Sequence, residues 1–544
     1  MSEPRQNATH VMHPTDARAF PVMDLTVPPA HAGFIGPTLR RGSNIARYAV
    51  MGLMFFYGLT GVVSVARQTQ RLPLLVDGGY GDSYIMFNVM RFQRAGTIYR
   101  DLSRPPYLAA QYSPAVYMLY SLPGRIMTAE NFFVGPRLLA VVFFVACLVV
   151  VGSLTQALVP LRSAALWGVL LTCSIGSVSE WVIQLRGDFP GIFFSLLAVR
   201  LLLSTRRWAV PLAGLCAGLA LQFKITFVTA GLAGTLWLMS KRQWKDVAQY
   251  VTAAAFSSLG LYILYWMREP AMLSQMLALS PGIPDVRGAV KLAYAAASDF
   301  VAVLALLGLP LLLPTVGRRW TLLLLFSVIS FAIAALTAIQ AGANSNYFFE
   351  AGFALVPLAV LGATHLFDLV QRTPGSGLFV VALLGIFVVA PRVALLRDEF
   401  GGSESVTVAN TRFRQLETVL AGRRLFSTVP RIALIDSNPP LVEPYLFTYS
   451  SRLGKIDPQP LVDRVRAGEF DVAITRTTVQ QWRHVLHIQP LLHQAITGSY
   501  EASCALGGWL VHLPHVPHSS TPSLVSQLGR IGCVPYDANR APLW

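Results

Sequence analysis

Few side chains in this sequence combine reactive chemistry with a sheltered setting, and those few stand where long apolar stretches break. Asp77 and Asp82 lie between the first two stretches. Arg186 and Asp188 flank Gly187 in Leu185-Arg186-Gly187-Asp188-Phe189. Lys224 interrupts Gln222-Phe223-Lys224-Ile225, and Asn344, Ser345 and Asn346 precede Tyr347. An acid so placed can take a proton from a hydroxyl, and cations beside it can hold a phosphate. Charges at membrane depth are costly enough to be read first as functional. Plainer readings stand beside that one. Arg186 and Asp188 suit a local ion pair and cap, and Lys224 can snorkel to an interface. The Asn-Ser-Asn run and Asp82 can each cap the helix that follows. Singly these signals are weak; what they share is a side.

That side depends on the elements that carry them. The chain has 544 residues, 54% hydrophobic and only 13% charged, with a mean hydropathy of +0.52. Soluble domains run to about 25% charged residues, so most of this chain has no water to face. Val141–Leu154, Thr321–Ile339 and Leu378–Ala390 carry no charge at all. With their flanks they approach the roughly 20 residues that span a bilayer. A 19-residue hydropathy window gives about eleven spans, near 46–66, 136–157, 163–183, 189–205, 208–222, 225–240, 247–267, 298–316, 320–340, 348–370 and 377–396. The fold expected is therefore a polytopic α-helical membrane protein.

Basic residues orient it. Arg40, Arg41 and Arg47 precede or open the first span, which puts the N-terminus in the cytoplasm. Alternate short loops then carry Arg162; Arg206 and Arg207; Lys241, Arg242 and Lys245; Arg318 and Arg319; and Arg372. Every loop assigned to the cytoplasm is basic, as the positive-inside rule requires. The net charge of +16 is thus a matter of topology and anionic lipid rather than nucleic acid, for which no aromatic-studded motif is present. On this assignment every candidate residue above falls on the outer face.

Residues 1–45 are polar and lack the apolar core of a signal peptide; they read as a disordered cytoplasmic arm. The transmembrane domain is expected over 46–397, with a large first outer loop at 67–135. In it, Tyr84–Arg94 has the apolar spacing of an interfacial helix. Residues 398–544 read as a small extracytoplasmic α/β domain. Arg431–Asp436 and Phe470–Thr475 look like buried strands and Leu461–Gly468 like a helix ending on glycine. Of five cysteines, Cys147, Cys173 and Cys216 lie in apolar helices. Cys504 and Cys533 lie in the tail, where an oxidising compartment would allow a disulfide, although spacing alone leaves their pairing open. No Cys/His ligand spacing points to a metal.

Taken together, several stretches resemble a known family. Gly81-Asp82-Ser83-Tyr84, Arg94-Ala95-Gly96-Thr97-Ile98-Tyr99 and Tyr112-Ser113-Pro114 in the first loop are similar, in order and spacing, to the polyprenyl-phosphate-sugar-dependent glycosyltransferases of the GT-C superfamily, the group of protein mannosyltransferases and aminoarabinose transferases. Arg186-Gly187-Asp188 resembles that family's Arg-Pro-Asp, Lys224 its basic residue before an apolar helix, and Gly342–Tyr347 its outer-face Asn/Tyr turn. The resemblance implies a polyprenyl-phosphate sugar as donor substrate and no further certain cofactor. It implies a lipid, glycan or protein hydroxyl as acceptor, with transfer at the outer face of a bacterial inner or plasma membrane. Asp82 would then be the general base. Arg186, Asp188, Lys224, Asn344, Asn346, Tyr347 and Tyr112 would bind the donor phosphate and substrate. Many relatives carry an Asp-Glu pair where Ser83 follows Asp82 here, which leaves Asp77 as the alternative acid. A polar cleft among helices also suits a transporter or flippase of a lipid-linked or small solute, or a non-catalytic envelope-assembly subunit. The outer-face clustering and the lack of an inverted repeat with broken helices weigh against transport.

Overall fold

The computed structural model describes residues 37–77, 81–126, 131–278, 284–312, 320–340, 342–372, 405–433, 442–475, 489–506, 509–517 and 521–536. The span expected at 377–396 and nearly all of the N-terminal arm lie outside them. Helix occupies every other expected span. α1 is Pro37–Thr69. The segment that follows folds into α2 (Asp82–Ala95) and α3 (Pro114–Ser121). α4 (Val134–Leu158), α5 (Ala164–Ser174), α6 (Val178–Trp181), α7 (Asp188–Leu202), α8 (Ala209–Leu221), α9 (Thr229–Ser240) and α10 (Trp244–Arg268) follow. α11 (Ala271–Ala278), α12 (Val286–Ala297), α13 (Phe300–Leu312), α14 (Trp320–Thr337) and α15 (Phe349–Arg372) complete the helical body.

These helices are not all of one kind. Among the described residues five stretches, Tyr48–Thr69, Val134–Leu158, Trp244–Arg268, Trp320–Thr337 and Ser345–Phe367, are long and apolar enough to cross a membrane. A sixth is counted if α12 and α13, bent by 68° at their joint, form one span. At 1.5 Å per residue, the 25 residues of α4 reach about 37 Å, ample for the bilayer core. α5, α7, α8 and α9 are shorter, and their joints bring irregular backbone to membrane depth. Such backbone must find protein partners there. At the break between α5 and α6, the Gly176 N–H donates to Asp299 Oδ2 at 2.9 Å. At the end of α8, the Ser113 hydroxyl donates to the Gln222 carbonyl.

The tail combines helices and strands. α16 (Val406–Leu420), β1 (Leu425–Ser427), α17 (Pro430–Ala433), α18 (Pro444–Arg452), α19 (Gln459–Arg466), β2 (Val472–Thr475), α20 (Pro490–Ser499), β3 (Tyr500–Leu506), β4 (Trp509–Pro514), α21 (Thr521–Arg530) and β5 (Val534–Pro535) build one sheet of order β1-β2-β4-β3-β5. β1 pairs parallel with β2, and the other pairings are antiparallel. Cys504 and Cys533 are joined in a disulfide. The strand expected at Arg431–Asp436 is misplaced. Arg431, Ile432 and Ala433 form a helical turn, the strand lies earlier at Leu425–Ser427, and 434–436 fall outside the described residues. Pro430 explains the shift: it cannot donate to a ladder but suits the first turn of a helix.

The tail grips the segment between α1 and α4. Asn410 accepts from Leu75 N–H and donates to the Pro73 carbonyl, both at 2.8 Å. Arg431 donates to the Leu75 carbonyl at 3.2 Å, and the Tyr84 hydroxyl donates to the Thr428 carbonyl at 3.0 Å. Leu75 is buried in the apolar core of the tail with Phe413 and Leu416. Tyr107 bridges to Val442 and packs its ring 5.3 Å from that of Phe447.

Candidate functional site

Asp82 opens α2. Gly81 precedes it at φ 99°, a left-handed conformation that glycine adopts without strain. The Asp77 carboxylate accepts from the Ser83 N–H at 2.6 Å and so caps the first turn. The cap anticipated for Asp82 is thus supplied by Asp77, which leaves the Asp82 carboxylate for longer-range partners. Its Oδ1 accepts from the Leu185 N–H at 3.1 Å, next to Arg186. Its Oδ2 lies 3.6 Å from Arg137, with both side chains fully buried. Burial pushes the Asp82 carboxyl above the usual aspartate range, against the pull of Arg137.

Arg137, near the N-terminal end of α4, escaped the sequence reading. Its guanidinium donates to the backbone carbonyls of Leu72, Leu74 and Val76 and lies 4.3 Å from the centre of the Phe133 ring. One buried cation thereby fixes the path of the chain into Asp77 and also neutralises Asp82. The available signal was an arginine just inside an apolar span, which marks function by default.

The second group forms at three helix joints. A side chain at Gly187 would run into the Phe223 carbonyl, 2.4 Å from an added Cβ; glycine there lets the α6–α7 and α8–α9 joints touch. That contact delivers Lys224 to Asp188, Nζ to Oδ1 at 3.0 Å. Asn346 donates to both Asp188 oxygens at 3.1 Å. The Lys224 ammonium lies 4.1 Å from the centre of the Tyr347 ring. Burial works against its charge, but Asp188 together with Tyr347 and Tyr112 outweighs it and holds the Lys224 pKa above the usual lysine value. Arg186 donates to the Tyr112 hydroxyl at 2.8 Å, and both Asp82 and Asp188 lie within its electrostatic reach.

Asp82, Arg186, Asp188, Lys224, Asn346, Tyr347 and Tyr112 are thus one connected cluster, with Asp77 tied in through Ser83. Asn344 stands apart. It is exposed, and among the described residues its side chain accepts only from its neighbour Ser345, at 2.7 Å. Glu350 was missed as well. It is 4% exposed and accepts from Thr229 at 2.6 Å and Ser330 at 3.2 Å. Its signal was an acid inside the apolar run after Tyr347, one helical turn beyond Asn346. Among the described residues no three His, Cys, Asp or Glu side chains group as a metal site would need.

No family model matches the sequence, and no curated protein matches it. Solved structures do match by fold. ArnT from Cupriavidus metallidurans bound to undecaprenyl phosphate is 12% identical with a TM-score of 0.50, covering 83% of this chain and 97% of that one. Its apo state gives 12%, 0.51, 85% and 98%. The archaeal oligosaccharyltransferase AglB from Archaeoglobus fulgidus, in complex with an inhibitory peptide and a dolichol-phosphate, gives 11% and 0.45, covering 85% and 75%. ArnT, an aminoarabinose transferase, is a GT-C protein, and its likeness extends over nearly its whole length. This chain is therefore similar in fold to ArnT, a member of the family that the first-loop and joint residues resemble.

Proposed function

We propose that the protein is a membrane glycosyltransferase that moves a sugar from a polyprenyl-phosphate-linked donor to a lipid, glycan or protein hydroxyl. The observation that carries this is the convergence of a buried carboxylate, Asp82, with two cations, Arg186 and Lys224, at the joints of a GT-C-like fold. Transfer takes place on the side where the tail lies. The basic cytoplasmic loops and the Cys504–Cys533 disulfide, a bond of oxidising compartments, both favour the outer face.

In this reading the acceptor hydroxyl gives its proton to Asp82 while its oxygen bonds to the anomeric carbon. The bond from that carbon to the phosphate oxygen breaks, and the carrier phosphate leaves with the electron pair. Arg186 and Lys224 meet the charge that develops on it. Asp188 and Asn346 hold Lys224 in place. Asp82 is closed to solvent as it stands. The Arg186 side chain, which lies against Gly81, has to turn toward the donor phosphate before the acceptor can enter.

The test is transfer of radiolabelled sugar from polyprenyl-phosphate donors to candidate acceptors by the purified protein. Asp82→Asn should lower the rate roughly 10²–10⁴-fold, while Asp77→Asn retains most of it. In the wild type, activity should fall as pH drops through the raised Asp82 pKa, at higher pH than an ordinary aspartate would impose. Full turnover by Asp82→Asn would sink the assignment of the base. Solute flux into vesicles without product would sink the transfer reading as a whole.

A further inference from the structure

Two buried charges in the segment between α1 and α4 and its neighbour are left over by the cluster just described. Arg91 lies on α2, beyond Asp82. All three of its guanidinium nitrogens are sealed from solvent and have no hydrogen-bond partner among the described residues; the Phe87 ring lies 5.8 Å away. Glu269 caps the end of α10 and is 6% exposed. Its Oε2 accepts from the N–H groups of Ile98 and Tyr99, at 2.8 and 2.6 Å. Its Oε1 is buried with no partner among the described residues. Glu269 lies close enough to act on the Arg91 charge, yet no hydrogen bond joins them. Buried charges left this way are costly, and a set of donors and an acceptor stand open together.

We propose that Arg91 and Glu269 bind hydroxyl groups of the sugar ring of the lipid-linked donor, a subsite that rests on the glycosyl-transfer reading above. A hydroxyl accepts and donates at once, so it can take a hydrogen bond from Arg91 and give one to Glu269 Oε1. A phosphate offers acceptors only, and the Glu269 carboxylate would repel it; the carrier phosphate therefore belongs at Arg186 and Lys224. The surroundings fit a sugar. The rings of Tyr99 and Tyr117 meet edge to face at 6.4 Å and offer apolar surface to its C–H groups. The Tyr117 hydroxyl accepts from the Tyr112 N–H at 3.2 Å, and Tyr112 in turn receives Arg186. Two tyrosines thus connect the Arg91 site to the phosphate cations, as a sugar bonded directly to phosphate requires.

Binding separates the sugar from the phosphate. Full-length protein in nanodiscs is titrated with bare undecaprenyl phosphate and with undecaprenyl-phosphate hexoses and pentoses. Wild type should bind one sugar-bearing carrier more tightly than the bare one. Arg91→Met and Glu269→Gln should each remove roughly a tenfold share of that gain while affinity for the bare carrier stays within about twofold. The double variant Arg91→Met/Glu269→Met should do no better than either single one. A double variant that regains the gain would show that the two residues serve only each other and would overturn the subsite. So would equal losses for both carriers, or a wild type that prefers no sugar-bearing carrier. Binding of neither carrier by wild type would instead reject the glycosyl-transfer reading on which the subsite rests. Should Arg91→Met fail to fold, Glu269→Gln, neutral and of the same shape, reads the same gain.

Discussion

The carboxylates of Asp82 and Asp188 are both nearly sealed, at 0% and 2% exposure, and each faces a cation, yet they are held in different ways. Asp82 is held by the path of the main chain. Its partners are a backbone N–H and an arginine whose other donors grip three carbonyls of residues 72–76. The tail grips the same stretch through Asn410 and Arg431. Among the described residues Asp188 is held only by side chains, Lys224 and Asn346, that arrive from separate joints. A group fixed by backbone cannot move without refolding its surroundings, which suits a base that must stay put. A group held by side chains can exchange partners when an anion arrives, which suits a phosphate site.

Breaking the first node should therefore cost stability as well as activity. Arg137→Met leaves Asp82 buried without its counter-charge, a change that typically costs about 3–5 kcal/mol. Thermal unfolding in detergent should show a lower midpoint and a matching loss of transfer. A midpoint equal to wild type would mean that the carbonyl grip contributes little and that the contrast between the nodes is false.

The tail's hold on the first node should also depend on pH. His512 on β4 is 1% exposed and lies 2.9 Å from the Thr475 hydroxyl on β2; burial pushes its pKa down to about 4. The unfolded chain binds this proton near 6.5, so the unfolded state gains protons first as the medium is acidified. The stability that the neutral ring contributes is whole above about pH 6.5 and is lost as pH falls toward about 4, by about 3 kcal/mol at most. Melting curves from pH 7 to 4 should fall more steeply for wild type than for His512→Gln; parallel curves would remove the effect.

How far the sequence reveals these nodes follows from what kind of contact builds them. α2 and the strand at Val472–Thr475 are legible because their apolar spacing is local, and the acids and cations at the joints stand out against apolar flanks. Arg137 is not legible as a keystone, because its partners are carbonyls of residues 72–76, and carbonyls have no sequence signature. The interruption of helix between Ser174 and Val178 is equally hidden. It depends on Asp299, far along the chain, to satisfy Gly176, whereas hydropathy alone draws one unbroken span over 163–183. The fold class needs only composition and period; the grip on Asp82 needs the tertiary path.

The second node should respond in kinetics rather than in folding. Lys224→Met removes one of two cations near the expected phosphate and should lower kcat roughly tenfold, with the melting midpoint shifted far less than in Arg137→Met. Lys224→Arg should recover part of the loss, since it keeps the charge. If Lys224→Met unfolds the protein as readily as Arg137→Met does, the two nodes are equally structural.

The smallest effect should come from Asn344, the one candidate that the structure leaves outside the cluster. Among the described residues its side chain reaches only Ser345, at the turn that carries Asn346, before the helix that carries Glu350. Asn344→Ala should therefore cost at most about 1 kcal/mol, as loss of a capping group does, and leave the transfer rate within about twofold. Asn346→Ala, two residues on, removes both hydrogen bonds to Asp188 and should behave like Lys224→Met. Equal kinetic losses at 344 and 346 would mean that substrate reaches the exposed side of this turn as well. The phosphate site would then extend beyond the side chains that hold Asp188.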